Sequence, residues 1–400
     1  MRPTAPSLVV VLLLALISVG CTAQRAQAPS ALEAVAAPPP EDVAVVEAVG
    51  EGEGEVVPAA VPAPEPVDPA TLTVRLRAVG DVMLGTDFPG DGEYLPPEGG
   101  AQMLAQVKDA LVDADLTFIN LEGPLCDSGE STKCGKGGNC YAFRTPTSYV
   151  RWLTEAGVDL ASTANNHAGD FGDACRRETE QTLDAAGIAW SGPLDSIATV
   201  TSKGLKVAMV AFHTAATGNH VNDHEAAAAL VAKAAESHDL VVVSFHGGAE
   251  GSKALHVPDG PETFYGENRG HLRRFARVVI DAGAHAVIGH GPHVPRGLEF
   301  YQGRLIAYSL GNFATYGRFN LRGPNGLSAI LELTLNGKGE YVSGRLIPTL
   351  LEGRGVPAPD PQGRSLELFR SLSAEDFPLT GAVIDADGTI RPPAETIPQS

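Results

Sequence analysis

Short apolar runs typical of buried strands alternate with amphipathic stretches of helical length from Thr73 onwards. The predicted helices lie near 101–113, 147–156, 174–186, 224–236 and 269–282. Strands that alternate with helices predict an α/β sheet, and a strand-rich end predicts an added antiparallel part. The predicted strands are TVRLRAV (73–79), LTFI (116–119), VDLAST (158–163), IAW (188–190), KVAMVAF (206–212), LVVVSF (240–245) and HAVIG (285–289), followed by GLEFY, LIAYSL and SAILELTL.

The N-terminus reads as a processing segment. Arg2 precedes an apolar run from Leu8 to Val19, which is too short to span a membrane and typical of a signal peptide. Cys21 follows Ser-Val-Gly, which resembles the lipobox of bacterial lipoproteins. We therefore expect a signal peptide at 1–20 and a lipidated Cys21; a plain secretory signal is the alternative.

Composition divides the rest of the chain into three parts. Residues 21–72 hold nine acidic residues, many Ala and Pro, and no aromatic residue, which predicts an extended acidic linker. We expect one domain at 73–349, for which the hydrophobic content of 44% is ample, and a peripheral tail at 350–400. The net charge of −19 repels phosphate backbones and argues against nucleic acid as a partner.

Four cysteines follow the lipidation candidate: Cys126, Cys134, Cys140 and Cys175. Two disulfide bonds are the leading expectation, because an exported compartment permits them. The alternative is a structural zinc site, although no CxxC spacing supports it. Four cysteines allow three pairings, and the sequence does not choose between them.

Polar residues with metal-binding or acid–base chemistry follow nearly every predicted strand. In open α/β sheets, ligands bind outside the carboxyl ends of the strands, so these residues are expected to converge. Imidazole mixed with carboxylate and carboxamide suits Mn, Fe or Zn, and a set this large can hold one or two divalent ions. The residues are Asp81, Asn120, Glu122, Asn165, Asn166, His167, His213, His246, His290 and His293.

The motifs GDVMLG, NLEGPL, ANNHAGDFG, HGGAE, GHGPHV and YSLGNF stand in this order between Val74 and Phe313. In this respect the chain resembles the CapA family of poly-γ-glutamate capsule proteins, a branch of the calcineurin-like metallophosphoesterases. The resemblance implies a four-layer α/β/β/α sandwich of the metallophosphoesterase type. It also implies a role in capsule biosynthesis.

The resemblance implies a role for each matching residue. His167 would protonate the leaving group. Glu122 stands where phosphoesterases usually place an aspartate, and no Asp-x-His follows the first strand, so a single ion is an alternative to two. The implied metal ligands are Asp81, Glu122, Asn166, His246, His290 and His293.

Other residues near these motifs have two interpretations each. Asp170 would orient His167 as a catalytic partner, or cap the following helix. Glu250 would line the site or face solvent, and Asn312 would reach the substrate or form an ordinary turn. The substrate-binding candidates are Asn120, Asn165, Glu250 and Asn312.

Three functions remain open at this point. The first is a metal-dependent hydrolase of the bacterial cell envelope, acting on a capsule-type polymer or a small phosphoester. The second is a non-catalytic factor that binds or assembles a polymer beside the capsule export machinery. The third is a periplasmic nucleotidase-like phosphatase. In each, the membrane is contacted only through the lipid anchor.

Overall fold

The computed structural model describes residues 68–90, 92–131, 133–134 and 140–394. These residues all fall within one compact unit, Pro64–Ser400. The signal peptide, Cys21 and nearly all of the linker lie outside the described residues. Of the helices that are described, none combines the length and the apolar character needed to cross a bilayer.

The described part of the chain contains strands and helices in alternation, followed by a strand-rich end. The helices are α1 (Lys108–Val112), α2 (Val150–Glu155), α3 (Gly172–Ala185), α4 (His224–Ala235), α5 (Leu272–Asp281) and α6 (Arg364–Asp376). The strands are β1 (Thr73–Met83), β2 (Leu116–Leu121), β3 (Leu160–Ser162), β4 (Ala189–Ser191), β5 (Ala198–Ser202), β6 (Leu205–His213), β7 (Leu240–His246), β8 (Glu262–Phe264), β9 (Glu267–Gly270), β10 (Ala286–His290), β11 (Leu298–Tyr301), β12 (Arg304–Ala307), β13 (Asn312–Thr315), β14 (Leu327–Asn336), β15 (Tyr341–Glu352), β16 (Val356–Pro359), β17 (Val383–Ile384) and β18 (Thr389–Arg391).

Two sheets form the centre of the described structure. One has ten strands in the order β17-β18-β15-β14-β1-β2-β3-β4, with β13 beside β1 and β16 beside β15. The other has six, in the order β11-β12-β10-β7-β6-β5, and β8 pairs with β9 as a separate hairpin. Strands β1 to β4 are parallel, as are β6, β7 and β10, whereas β14 and β15 are antiparallel additions.

Three apolar clusters define four layers. Phe118 of the first sheet and Met209 of the second belong to the core between the sheets. Helices α4 and α5 cover the outer face of the second sheet, where Phe275 is fully buried. On the outer face of the first sheet, Ile119 clusters with Leu183 of α3 and with residues of α1 and α2. The predicted four-layer α/β/β/α sandwich is therefore confirmed.

The carboxyl end of β1 is irregular, and another backbone segment approaches it closely at Gly80. The pairing of β1 with β2 shifts register between Ala78 and Asp81. At Gly80 the backbone of the YSLGNF segment approaches so closely that a Cβ would lie 1.9 Å from the Gly311 carbonyl oxygen. The Asp81 N–H donates to that same oxygen at 3.0 Å. A glycine at position 80 thus lets the segment anchor the backbone of Asp81.

The C-terminal residues are part of the core, so the expected peripheral tail at 350–400 is wrong for the described residues up to 394. Leu366 and Phe369 of α6, with Ile384 and Ile390, belong to the apolar cluster between the sheets. The periodic apolar residues of α6 bury one face, and burial of this kind is the main source of helix stability. The helix expected at 101–113 is also shorter, because 101–107 form turns.

Two disulfide bonds select one of the three possible pairings. Cys126 joins Cys175, which ties the segment after β2 to α3, and Cys134 joins Cys140 within a short loop. All four sulfurs are therefore in disulfides, and the zinc alternative does not apply.

Candidate metal centre

The two sheets bring their polar strand ends together. In the first sheet Asp81 pairs with Asn120. In the second, His246 lies between His213 and His290 in adjacent parallel strands. Since these are the carboxyl ends of parallel strands, the side chains that follow them meet where the sheets face each other.

Three of the expected ligands surround the carboxyl group of Glu122, which is itself an expected ligand. Its Oε1 lies 3.6 Å from His293 Nε2 and 3.7 Å from His246 Nε2. His293 Nδ1 donates to Asp81 Oδ2 at 2.9 Å, and Asp81 Oδ1 lies 3.9 Å from His246 Nδ1. Donor atoms of Asp81, Glu122 and His293 all lie within 4.8 Å of one another, so these residues form a group able to hold a metal ion.

Several buried atoms that could coordinate a metal have no hydrogen-bond partner, and this fits the binding of a cation. Both oxygens of Glu122, Nε2 of His246 and Oδ1 of Asn166 are buried with no hydrogen-bond partner. Leaving such atoms unpaired costs about 1–3 kcal/mol each, and more when charged. Atoms bound to one ion at about 2.0–2.2 Å lie at most about 4.4 Å apart, so the separations of 3.6 and 3.7 Å from Glu122 Oε1 to Nε2 of His293 and of His246 suit a shared ion.

Burial and mutual charge shift the pKa values at this centre. Burial raises the pKa of Glu122 well above its ordinary value, although the charge of His293 opposes this. Burial opposes the charge of His293, but Glu122 and Asp81 outweigh it and raise the pKa of His293 to about 10. Burial acts to raise the pKa of Asp81, yet the hydrogen bond from His293 lowers it overall. Burial, aided by the charge of Arg269, lowers the pKa of His246 well below its ordinary value.

His290 does not join the ligand group, contrary to expectation. Its Nε2 donates to the Val79 carbonyl oxygen at 2.9 Å, and its Nδ1 lies 3.5 Å from Ser244 Oγ. His290 therefore connects the second sheet to β1. The pattern of the GHGPHV motif does not distinguish this bridging histidine from His293.

His167 and Asp170 form a dyad beside the ligand group. His167 Nδ1 donates to Asp170 Oδ2 at 2.6 Å, and His167 Nε2 lies 3.9 Å from Glu122 Oε1. Asp170 also accepts from the Phe143 N–H at 2.8 Å and pairs with Lys133 at 3.1 Å. Burial lowers the pKa of His167, and the carboxylate of Asp170 counteracts this. The orienting role of Asp170 thus matches the geometry.

Three residues expected to bind substrate hold other residues of the site in place. Asn120 is fully buried and donates to Asp81 Oδ1 at 2.8 Å. Asn165 donates to the Leu121 carbonyl oxygen at 2.9 Å and accepts from the His167 N–H at 3.1 Å. These amides are occupied by contacts within the protein, which leaves no donor for a ligand.

Asn312 is the third of these, and it acts on the backbone of His293. His293 adopts a left-handed conformation with φ of 59°, which is unfavourable for a residue with a side chain. Asn312 Nδ2 donates to the His293 carbonyl oxygen at 3.2 Å, and so does Asn325 Nδ2. The two amides hold the strained residue in place, and no motif predicted the role of Asn325.

Glu250 is the expected substrate-binding residue that does line the site. Its Oε2 lies 4.0 Å from His293 Nε2, and its Oε1 lies 3.0 Å from Arg269 Nη1.

Two phenylalanines that the sequence analysis did not predict lie against the histidines of the site. Phe143 stacks on His167 with ring centroids 4.0 Å apart, and Phe319 lies edge-on to His293 at 5.1 Å. Isolated phenylalanines in loops carry no sequence signal for such a role.

Two bacterial proteins are similar to this chain in sequence. The protein named PGA biosynthesis protein CapA of Bacillus subtilis (strain 168) is 28% identical over 265 residues, covering 60% of this chain and 66% of that protein. Capsule biosynthesis protein CapA of Bacillus anthracis is 26% identical over 262 residues, covering 60% of this chain and 59% of that protein. The chain thus spans less than two thirds of the length of these relatives.

Among solved structures, a 5'-nucleotidase precursor from Thermus thermophilus covers 77% of this chain and 60% of its own, with 14% identity and a TM-score of 0.40. A score this low supports no conclusion, and the fold assignment rests on the sheet order and layers. The family model described as "Bacterial capsule synthesis protein PGA_cap" matches residues 75–316, which is more than half of the chain. The protein therefore belongs to the bacterial capsule synthesis protein family PGA_cap.

Proposed function

We propose that the protein is a metal-dependent hydrolase of the bacterial cell envelope that acts in poly-γ-glutamate or capsule biosynthesis. The observation that carries this proposal is that metal-coordinating atoms of Glu122 and His246 are buried without a hydrogen-bond partner beside the His167–Asp170 dyad. Family membership and the names of the two Bacillus relatives support the biosynthetic process.

The proposed centre holds one divalent ion, Mn, Fe or Zn. Asp81, Glu122 and His293 would hold it, joined by His246, whose Nε2 lies 3.7 Å from Glu122 Oε1, and by Asn166 through Oδ1. When bound, the ion supplies Lewis-acid polarisation of a substrate oxygen and activation of a water. A second ion is not proposed, because His290 is engaged with Val79.

His167 is the proposed general acid. Asp170 holds its Nδ1, so Nε2 is the nitrogen that faces Glu122 and the reaction site. The stacked ring of Phe143 fixes the imidazole plane and excludes water from one of its faces. A positioned proton donor of this kind contributes typically about 10²–10⁴-fold in rate.

The proposed substrate is a capsule-type amide polymer or a small phosphoester. The names of the relatives support the polymer, and the metal-and-histidine chemistry of the site supports the phosphoester. A nucleotidase-like phosphatase would be one kind of enzyme that acts on a small phosphoester. The acidic chain, with a net charge of −19, is a poor partner for nucleic acid.

A non-catalytic role in binding or assembling a polymer is the second candidate, and one observation favours it. His167 is 5% exposed, so a leaving group has little access to it in this conformation. In that role the metal group would bind carboxylates of the polymer beside the export machinery.

The proposed location is the outer side of a membrane, with the lipid on Cys21 as the attachment. Residues 21–72 would act as the tether that holds the domain away from the bilayer. Both proposals concern residues outside the described part of the chain, apart from 68–72. Mass spectrometry of the mature N-terminus tests them: a diacylated Cys21 supports the anchor, and a free Cys21 refutes it.

Metal content and hydrolysis measured together test the main proposal. Residues 21–400 would be assayed for bound Mn, Fe and Zn and for turnover of p-nitrophenyl phosphate esters and poly-γ-glutamate. We expect His246→Ala to lose metal and turnover, His167→Ala to keep metal and lose turnover about 100-fold or more, and the exposed His256→Ala to change neither. Metal without turnover on either substrate would favour the binding role, and no metal would refute both.

A further inference from the structure

Arg269 is a buried arginine beside the metal centre that none of the proposed steps uses. It lies on β9 and is 1% exposed. Its carbonyl oxygen accepts from the Gly248 N–H at 2.7 Å, which places it against the segment that directly follows His246. Through Nη1 it contacts Glu250 Oε1 at 3.0 Å, and Glu250 Oε2 lies 4.0 Å from His293 Nε2.

The remaining nitrogens of Arg269 have no partner. Both Nε and Nη2 are buried without a hydrogen bond. Arg296, the other fully buried arginine among the largest buried side chains, shows the opposite. Its Nη1 and Nη2 donate to Glu262 at 2.9 and 2.8 Å, and its Nε donates to the Ala254 carbonyl oxygen at 2.8 Å. Arg296 is satisfied as a structural residue, whereas Arg269, whose Nη1 lies beside Glu250, retains two unpartnered nitrogens.

The two free nitrogens belong to the same edge of the guanidinium group. The N–H bonds of Nε and Nη2 run parallel, and this fork matches the two oxygens of a carboxylate or phosphoryl group. We propose that the Nε–Nη2 edge of Arg269 binds an anionic oxygen group of the substrate, a carboxylate or a phosphoryl group, next to the metal ligands. The inference rests on the proposed function only in taking this site to receive an anionic substrate.

Glu250 competes with the substrate in this arrangement. It is the partly exposed member of the pair, with 21% of its side chain exposed, and it already contributes an anion to Arg269. An incoming anion meets the repulsion of this carboxylate, so binding is stronger when Glu250 is displaced or replaced by a neutral residue. The charge of Arg269 also reaches the centre itself: it acts against the burial that raises the pKa of Glu122 and adds to the burial that lowers the pKa of His246.

The test measures binding rather than turnover. Isothermal titration calorimetry would follow inorganic phosphate and γ-L-glutamyl-L-glutamate as separate probes, with manganese-loaded and with chelator-treated protein. Arg269→Lys keeps the charge and loses the fork, and we expect it to weaken binding of at least one probe about tenfold or more. Glu250→Gln should tighten binding of the same probe. Arg345→Lys makes the same change at an exposed arginine and serves as the matched control, which should leave the binding of both probes unchanged.

The probe that loses affinity identifies the source of the anion: phosphate for a phosphoester, the dipeptide for a γ-glutamyl polymer. Equal affinities in wild type and Arg269→Lys, or no binding of either probe by the wild type, would overturn the inference. Thermal unfolding and metal content establish that the variants are folded and loaded. A wild-type protein without turnover would refute the hydrolase alone, because the effect of Arg269→Lys on binding is measured independently.

Discussion

Replacing Glu122 with Gln removes one charge from the centre of the ligand group and keeps the shape of the side chain. Glu122 is fully buried, and its oxygens have no hydrogen-bond partner. Its Oε1 lies 3.6 Å from His293 Nε2, 3.7 Å from His246 Nε2 and 3.9 Å from His167 Nε2. If an ion is bound there, Glu122 is its central anionic ligand, and the variant should bind metal much more weakly.

The expected size of the effect follows from linkage. An ion present at 100 times its dissociation constant stabilises the folded protein by about 2.7 kcal/mol. For the unit Pro64–Ser400, at about 2.1 cal/mol/K per residue, the entropy of unfolding is about 0.7 kcal/mol/K, so the melting temperature rises by about 4 °C. A 100-fold loss of affinity leaves about 0.4 kcal/mol at the same metal concentration, or less than 1 °C.

Calorimetric melting of chelator-treated protein, repeated over a titration with Mn²⁺, Fe²⁺ or Zn²⁺, measures this difference. Glu352→Gln is the matched control, because Glu352 is exposed on β15 and lies outside the ligand group. It should keep the full metal-induced rise. A rise of equal size in wild type and Glu122→Gln would show that the ion, if bound, is held elsewhere.

Three further predictions concern the proton, the dyad and a disulfide. Because the pKa of His293 is raised to about 10 without metal, metal binding at pH 8 should release its proton, seen as a dependence of calorimetric enthalpy on buffer; His293→Gln should lower the number of protons released by about one. The same raised pKa stabilises the metal-free fold below pH 6.5, and this contribution is lost as pH rises through about 10. Asp170→Asn should lower turnover about 10–100-fold at unchanged metal content. It should also move the alkaline limit of activity to lower pH, because Asp170 raises the pKa of His167; an unshifted pH profile would contradict the dyad. Removing the Cys126–Cys175 bond, which closes 49 residues, should cost about 4 kcal/mol in denaturant melts, and a loss below 1 kcal/mol would contradict the chain-entropy argument.

The polar strand ends were predictable because local sequence patterns express them. A buried strand appears in the sequence as an apolar run. The polar residue that directly follows the run then marks the end of the strand, where ligands bind in α/β sheets. Asp81, Glu122, His246 and His293 were found in this way, with roles implied by the family resemblance. The α/β class also followed from the alternation of strands and helices, whereas the four layers were implied by the family resemblance.

Several contacts depend on residues far apart in the chain, and the local pattern does not contain them. Asn120 and Asn312 share the residue type of a substrate ligand, yet the segments around them direct their amides to Asp81 and to the His293 backbone. His290 shares a motif with His293 but donates to Val79, 211 residues away. Tertiary packing therefore decides which of these side chains already form hydrogen bonds within the protein.

The apolar and polar pattern by itself determined the class of fold, the edge at which the site forms and most of the donor atoms that form it. Tertiary structure alone decided the disulfide pairing, the place of α6 in the core and the free edge of Arg269. The physical reason is that periodicity records which faces are buried, whereas the satisfaction of a buried donor depends on which distant chain segment packs against it.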